Sequence, residues 1–197
     1  MYQGIKFEDF HYTHTADKQS RKAWLNQKAV TGLDFPNLPY LIDGDFKISD
    51  HMAIHRYIAQ KWSPDLLGKN LEQRARVDMY AGLLQELKRV ATMGCYTDGD
   101  RSKLSSQTLS QMEEVANSLT RRMFILGDEL CFLDFYMFEL LQLIDFTTEG
   151  AVYESYPHLD LYQQRIAQLP RLKEYLDSDD CLKAPFNMKF SKINNWL

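Results

Sequence analysis

The clearest alternation of apolar and polar residues lies in the first third of the chain, around a short polar turn. Two apolar runs, residues 40–42 and 46–48, flank Asp43-Gly44-Asp45, and this pattern predicts a tight antiparallel hairpin. Ser49 or Asp50 can cap a helix directly afterwards, because the apolar residues that follow fall roughly at helical spacing. The first third of the chain is therefore predicted to mix strand and helix.

Upstream of the hairpin, the pattern predicts one more strand and one more helix. Residues 5–12 alternate imperfectly between apolar and polar positions, which is typical of a short strand. Residues 14–20 form a polar loop, and Ser20 at its end can cap a helix that carries Trp24 and Lys28.

Two prolines favour extended backbone just before the hairpin. Pro36 and Pro39 bracket Asn37-Leu38, and a residue that precedes a proline is pushed out of helical geometry. Extended backbone beside a sheet edge can pair with a peptide-like ligand. The helix predicted to begin near Asp50 offers unpaired N–H groups that suit a carboxylate. Together these features predict a small peptide site.

The helical periodicity is interrupted once, and this interruption predicts a domain boundary. Pro64 and Gly68 both fall within residues 62–68, so we place a linker there. We predict one domain in residues 1–61 and an all-helical domain in residues 69–197.

The second domain contains the most apolar stretch of the chain. Residues 131–145 are apolar nearly all round, which predicts a buried central helix with Cys131 as its N-cap and Asp134 on its first turn. The long helix before it is predicted to end at Gly127.

Composition narrows the class of protein. With 197 residues, of which 45% are hydrophobic, the chain can form one or two compact domains. A net charge of -4 argues against binding to nucleic acid or to an anionic membrane. The three cysteines form no CxxC pair, and no leader or long apolar run is present. We therefore expect a soluble cytoplasmic protein with reduced cysteines.

Two segments of the first domain resemble one known family. Residues 33–42, Leu-Asp-Phe-Pro-Asn-Leu-Pro-Tyr-Leu-Ile, are similar to the glutathione-binding segment of mu-class glutathione transferases. Residues 21–28 resemble the Arg-x-x-Trp-Leu-Asn-x-Lys helix of the same class, and residues 127–135 give a weaker match. The resemblance implies the glutathione transferase fold: an α/β thioredoxin-like N-terminal domain, incomplete here, followed by an all-α C-terminal domain.

The resemblance also implies how glutathione would be held. Arg21, Trp24 and Lys28 would bind its glycine carboxylate, and the backbone of Asn37 and Leu38 would pair with its cysteinyl residue. The alternative for the helix is a solvated amphipathic surface with Trp24 in the core. The alternative for Asn37 and Leu38 is a simple loop that enters a strand.

Asp50 and His51 depart from the family pattern, which usually has Gln-Ser to hold the γ-glutamyl carboxylate. They would still occupy that position, unless Asp50 is only an N-cap and His51 a surface residue. By resemblance, the bond before Pro39 should be cis. His51 and His55 are four residues apart, as metal ligands can be, but we find no third ligand and predict no metal site.

Three further positions take their roles from the resemblance. Glu86 aligns with an acidic residue that reaches across the dimer to the neighbouring glutathione amine, and Tyr96 with an auxiliary active-site tyrosine. Phe35 resembles the aromatic key that inserts into the partner subunit of a homodimer. Without the resemblance, Glu86 reads as a surface charge, Tyr96 as an aromatic residue at a helix end and Phe35 as a buried loop residue.

The implied activity is the detoxifying conjugation of the glutathione thiol to a hydrophobic electrophile, with glutathione as co-substrate and no cofactor. The family carries its main catalytic tyrosine in a leading strand and helix, for which the sequence offers no room before residues 5–12. We therefore expect the 197 residues alone to conjugate slowly or not at all. The alternative is a dimer that binds glutathione or other ligands without catalysis, like a ligandin or a crystallin.

Overall fold

The computed structural model describes residues 2–12, 20–97, 99–188 and 190–194, and for Ser20 and Arg21 it describes the backbone only. The first part of the chain combines two helices with a two-stranded antiparallel sheet. In order, these elements are α1 (Ser20–Lys28), β1 (Tyr40–Asp43), β2 (Phe46–Ser49) and α2 (His51–Trp62).

The predicted hairpin is confirmed. Tyr40 pairs with Ser49 and Asp43 with Phe46, which leaves Gly44 in the turn with a φ of 62°. A positive φ is the conformation that glycine adopts without steric cost. The hydroxyl of Tyr57, on α2, donates a 2.7 Å hydrogen bond to Asp43, so the hairpin is fixed against the helix that follows it.

The predicted strand at residues 5–12 is wrong, because this segment has no regular secondary structure. A strand forms only where its backbone groups pair with a neighbour, and the sheet of the described chain consists of β1 and β2 alone. Side chains attach the segment instead. Tyr12 shares a 2.9 Å hydroxyl hydrogen bond with Tyr40, and its ring lies 5.3 Å from that of Trp24.

The rest of the described chain is helical, and no helix in it is long and apolar enough to cross a membrane. Pro64–Leu67 form a short 3-10 helix before the long helices, and Pro157 and Pro170 each begin a helix, as the fixed φ of proline favours. The helices are α3 (Leu71–Thr97), α4 (Arg101–Leu119), α5 (Phe132–Thr148), α6 (Ala151–Ser155), α7 (Pro157–Ala167) and α8 (Pro170–Leu176).

Helix α5 is the buried central helix that the sequence predicts. Twelve of its seventeen residues are buried, among them Leu133, Met137 and Leu141, which are fully inaccessible. It packs against α3, α4, α6 and α7. The hydrophobic core of the helical part is therefore built around this one element.

Asp134 joins the start of α5 to its surroundings. Its carboxylate accepts hydrogen bonds from the backbone N–H of Cys131 at 2.7 Å and of Ile125 at 2.9 Å, and from the hydroxyl of Tyr162 on α7 at 2.5 Å. The predicted positions of Cys131 as N-cap and of Asp134 on the first turn are confirmed.

The predicted end of the preceding helix at Gly127 is wrong, because α4 already ends at Leu119. Phe124 and Gly127 exchange two backbone hydrogen bonds, of 2.7 and 2.9 Å. Gly127, with a φ of 91°, thus belongs to a tight turn between α4 and α5 and does not terminate a helix.

We predict that Asp134→Ala lowers the free energy of unfolding by about 3–5 kcal/mol, because it leaves two buried N–H groups and one hydroxyl without an acceptor. Urea unfolding at neutral pH measures this. Asp128→Ala, which removes an exposed carboxylate a few residues earlier, should change the value by less than about 0.5 kcal/mol. Equal losses in the two variants would contradict this role for Asp134.

Candidate functional site

The first element of the candidate site is α1, which packs on the hairpin through the rings of Trp24 and Tyr40. Trp24 is 7% exposed, and its ring stacks on that of Tyr40 at 5.8 Å. Trp24 is therefore a core residue, as the plainer alternative predicts, and it holds α1 against the hairpin. Lys28 lies exposed in the last turn of α1, while the side chain of Arg21 is outside the described part of the chain.

The loop between α1 and β1 is tied to β2 on one side. Lys47 donates a 2.7 Å hydrogen bond to the carbonyl of Thr31, and the hydroxyl of Ser49 donates to the carbonyl of Phe35. These side chains are polar positions of β2 that sequence reasoning did not single out. They hold the loop across the hairpin and fix where its next residues lie.

The segment of the loop that follows has open backbone groups. The bond between Leu38 and Pro39 is cis, as expected from the resemblance. Asn37 is exposed and Leu38 is half-buried. Within the described residues, the N–H and C=O groups of Leu38 form no hydrogen bond. Leu38 thus presents a donor and an acceptor to a ligand of extended peptide shape.

The start of α2 is the second element of the candidate site. Asp50 is its N-cap, as predicted, and accepts a 2.9 Å hydrogen bond from the N–H of Ala53. Asp50 has a φ of 81°, which is uncommon for a residue other than glycine. The N–H groups of His51 and Met52 have no partner in the described part of the chain, so this helix start can receive a carboxylate.

Below the start of α2, two histidines pack against the helical part. The ring of His51 stacks on Tyr136 of α5 at 5.6 Å, and the ring of His55 lies 6.1 Å from the same tyrosine. Lys88 of α3 lies 5.4 Å above the Tyr136 ring. His51 Nε2, His55 Nδ1 and Tyr136 Oη are buried and have no hydrogen-bond partner. The side chain of His51 lies in this contact and stays 30% exposed, with its Nδ1 3.8 Å from the Asp50 carboxylate.

Burial lowers the pKa of both histidines. It lowers the pKa of His51, and the charge of Lys88 adds to the effect while that of Asp50 opposes it. Burial also lowers the pKa of His55 to about 4, with further contributions from His51 and Lys88. Burial raises the pKa of Tyr136 to about 12. A charged imidazole is therefore disfavoured between α2 and α5.

The potential metal-ligating side chains can be compared only among the residues that the structure describes. Among them, no three His, Cys, Asp or Glu side chains lie close enough together to hold an ion. The pair His51 and His55 is directed into the contact with Tyr136.

The three remaining predicted residues, Glu86, Tyr96 and Phe35, belong neither to α1 nor to the start of α2. Glu86 is exposed on α3 and forms no ion pair within the described residues. Tyr96 is half-buried in the last turn of α3, and its hydroxyl accepts a 2.9 Å hydrogen bond from the N–H of Met188. Phe35 is 83% exposed, so the alternative of a buried loop aromatic does not hold for this chain.

Comparisons with known proteins identify the family of the chain. Residues 1–60 match the family model of the glutathione S-transferase N-terminal domain, and residues 95–179 match that of the C-terminal domain. Glutathione S-transferase Mu 4 of Mus musculus is 32% identical over 200 residues, which span 99% of this chain and 88% of that protein. The chain belongs to the glutathione S-transferase family.

Other relatives support the class and the fold of this transferase. The class-mu 26 kDa isozyme 51 of Fasciola hepatica is 33% identical over 94% of the chain and 84% of its own length. The Pi-class glutathione S-transferase of Onchocerca volvulus superposes with a TM-score of 0.80 at 26% identity, over 96% of this chain and 89% of that one. The predicted thioredoxin-like domain followed by a helical domain is confirmed, while the boundary at residues 62–68 stays a prediction.

Sequence reasoning missed the residues of this transferase that support the site from below. Tyr136 and Lys88 were overlooked because an apolar helix and a polar helix surface gave no reason to single them out. The pair His51 and His55 was the available signal. Two histidines one helical turn apart lie on the same helix face, and that face can pack against another element.

We predict that His55 makes stability fall in acid. The folded pKa is about 4 and the unfolded value about 6.5, so the contribution is complete above pH 6.5 and is lost as pH falls towards 4. The slope is at most about 1.4 kcal/mol per pH unit. His55→Leu should flatten the profile of unfolding free energy in this window. Met52→Leu, a packing change without titration on the same helix, should keep the slope, and a slope retained in His55→Leu would contradict the assignment.

Proposed function

We propose that this chain binds glutathione and conjugates its thiol to hydrophobic electrophiles, at the low rate expected of these 197 residues alone, with detoxification as the biological role. The observation that carries the proposal is the backbone of Leu38, which is unpaired within the described residues and which, along the chain, follows the end of α1 with Lys28 and precedes the open start of α2. Glutathione is an extended tripeptide with a carboxylate at each end, so a backbone pair flanked by two carboxylate-binding elements matches its length and charge.

The glycine end of glutathione would lie at α1. Lys28 supplies the described positive charge there, and Arg21 and Trp24 belong to the same helix. Trp24 acts through its buried ring, which fixes α1 on the hairpin. A carboxylate paired with Lys28 would be a charge-assisted contact near the surface.

The γ-glutamyl end would lie at the start of α2. The N–H groups of His51 and Met52 face its carboxylate, and Asp50 is engaged with Ala53 through one carboxylate oxygen. The other Asp50 oxygen would meet the α-amino group of glutathione together with Glu86 from a second copy of the chain. The attraction between the positive α-amino group and these two carboxylates would offset the repulsion between Asp50 and the γ-glutamyl carboxylate of glutathione.

The chemical step would join two reactants held side by side. The thiol loses its proton to solvent, the thiolate attacks an electrophilic carbon, and the leaving group departs with the bonding electrons. Tyr96 would assist with the electrophile, because its hydroxyl accepts from Met188 and keeps its own proton to donate. Glutathione would serve as co-substrate, and the proposal needs no resident cofactor.

Two further features of the proposal are a homodimer and a cytoplasmic location. Phe35 would serve the dimer as the aromatic key that the resemblance implies, because its side chain is 83% exposed and so accessible to a partner subunit. Cys95, Cys131 and Cys181 are all free thiols, which suits a reducing compartment.

Binding is tested by calorimetric titration with glutathione. Lys28→Met should weaken binding by about tenfold, because it removes a charge-assisted contact to a carboxylate. Lys22→Met changes an exposed lysine elsewhere on α1 and should leave the affinity unchanged. Equal effects of the two variants would contradict the placement of the glycine end.

An activity assay of the unmodified chain with glutathione and a chlorodinitroarene decides between a transferase and a non-catalytic binding protein. Conjugation that saturates with glutathione supports the transferase. Glutathione binding without any turnover would favour the non-catalytic binding protein.

We predict that Phe35→Ser converts the dimer into monomers, since it removes the apolar side chain from the proposed interface. Sedimentation velocity measures the change. Phe10→Ser is the matched control, because Phe10 is also an exposed phenylalanine, at 75%, but lies outside the proposed interface. A Phe35→Ser variant that stays dimeric at micromolar concentration would contradict the role of this side chain.

A further inference from the structure

A cavity on the helical part is lined by residues other than those assigned to glutathione. It has a volume of about 620 Å³ and opens between α5, α6, α7 and residues 181–186. Phe138, Gln142, Asp145 and Phe146 line it at helical spacing and so share one face of α5. The volume falls in the range of small-molecule sites, roughly 300–1,000 Å³.

Aromatic rings form the walls of this α5–α7 cavity. Phe146 and Phe186 stack with their ring centroids 5.2 Å apart and an interplanar angle of 27°. Tyr153 donates its hydroxyl hydrogen to Gln163, whose amide donates to the carbonyl of Phe138 at 3.4 Å. The hydrogen bonds fix the orientation of the tyrosine, so the cavity offers flat apolar surfaces to a flat guest.

Asp145 is the charged group of α5 that lines this cavity, and its side chain is partly exposed. Its side chain and that of Gln142, one turn earlier, form no hydrogen bond or ion pair with any residue the structure describes. Burial, and after it the charge of Asp160, raises the pKa of Asp145. The carboxylate therefore lacks the compensation that a nearby cation would provide.

The cations around the cavity do not supply that compensation. Arg101 packs on the ring of Phe146 at 4.9 Å, donates to the carbonyl of the same residue and lies 3.5 Å from Glu149. Lys183 lines the rim but is exposed and forms no ion pair with Asp145 in the described chain. A positive charge brought by a ligand would fill this role.

We propose that the α5–α7 cavity is a second small-molecule site, which takes a flat aromatic molecule with one positively charged amine. The ring lies against Phe146 and Phe186, where stacking and cation–π contact both contribute. The amine donates to the carboxylate of Asp145 and to the amide oxygen of Gln142. This proposal does not depend on whether the chain binds glutathione.

The test uses 1-naphthylmethylammonium as the probe and isothermal titration of the full chain at neutral pH. Asp145→Asn should weaken binding by about tenfold, because it removes the charge that the amine meets. Glu154→Gln removes an equal charge from an exposed position of α6 and should leave the affinity unchanged. Phe186→Leu, which keeps an apolar side chain but loses the ring, should also weaken binding.

Two competition measurements locate and characterise the site. Saturating glutathione should leave the probe affinity unchanged, and 1-naphthoate, which has the same rings and the opposite charge, should bind at least tenfold more weakly than the probe, by the same charge argument. Displacement by glutathione, equal binding of naphthoate, or an unchanged affinity in Asp145→Asn would each overturn the proposal. A chain that fails to bind glutathione but binds the probe as described would leave it intact.

Discussion

The carboxylate of Asp134 is the interaction on which the rest of the structure depends. It is buried at the start of α5, and from there it holds the backbone of Ile125, the N-cap residue Cys131 and the hydroxyl of Tyr162. One side chain thus fixes the turn before α5, the first turn of the helix and the position of α7. Helices α3, α4, α6 and α7 all pack against α5. A shift of the first turn of α5 would therefore disturb the packing of the whole core.

The same helix also positions the candidate site. α5 presents Tyr136 to α2, and the rings of His51 and His55 pack on it with Lys88 of α3 above. The start of α2, where a carboxylate of glutathione would bind, is therefore held by a contact with the helical domain. Burial and the charge of Lys88 disfavour a protonated ring in this contact, and they outweigh the opposing charge of Asp50.

Local patterns predicted the elements that depend on neighbouring residues. The turn at Gly44, the cap at Asp50 and the buried face of α5 all follow from spacing and from the chemistry of single residues. Patterns failed where the outcome depends on distant partners. Residues 5–12 alternate like a strand but have no neighbour to pair with in the described chain, and α4 ends before Gly127 because the turn at Phe124 closes on itself. Lys88 and Tyr136 join the site only through the packing of the domains, which no local pattern contains.

The central claim is that glutathione lies along Leu38 with its ends at α1 and α2. The most direct test is the amide spectrum of the isotopically labelled chain during a glutathione titration. We expect the largest shifts at the amides of Leu38, His51 and Met52 and at the last turn of α1, with saturation at one common affinity. Shifts confined to other parts of the chain, such as the face of α5 around Asp145, would contradict the account.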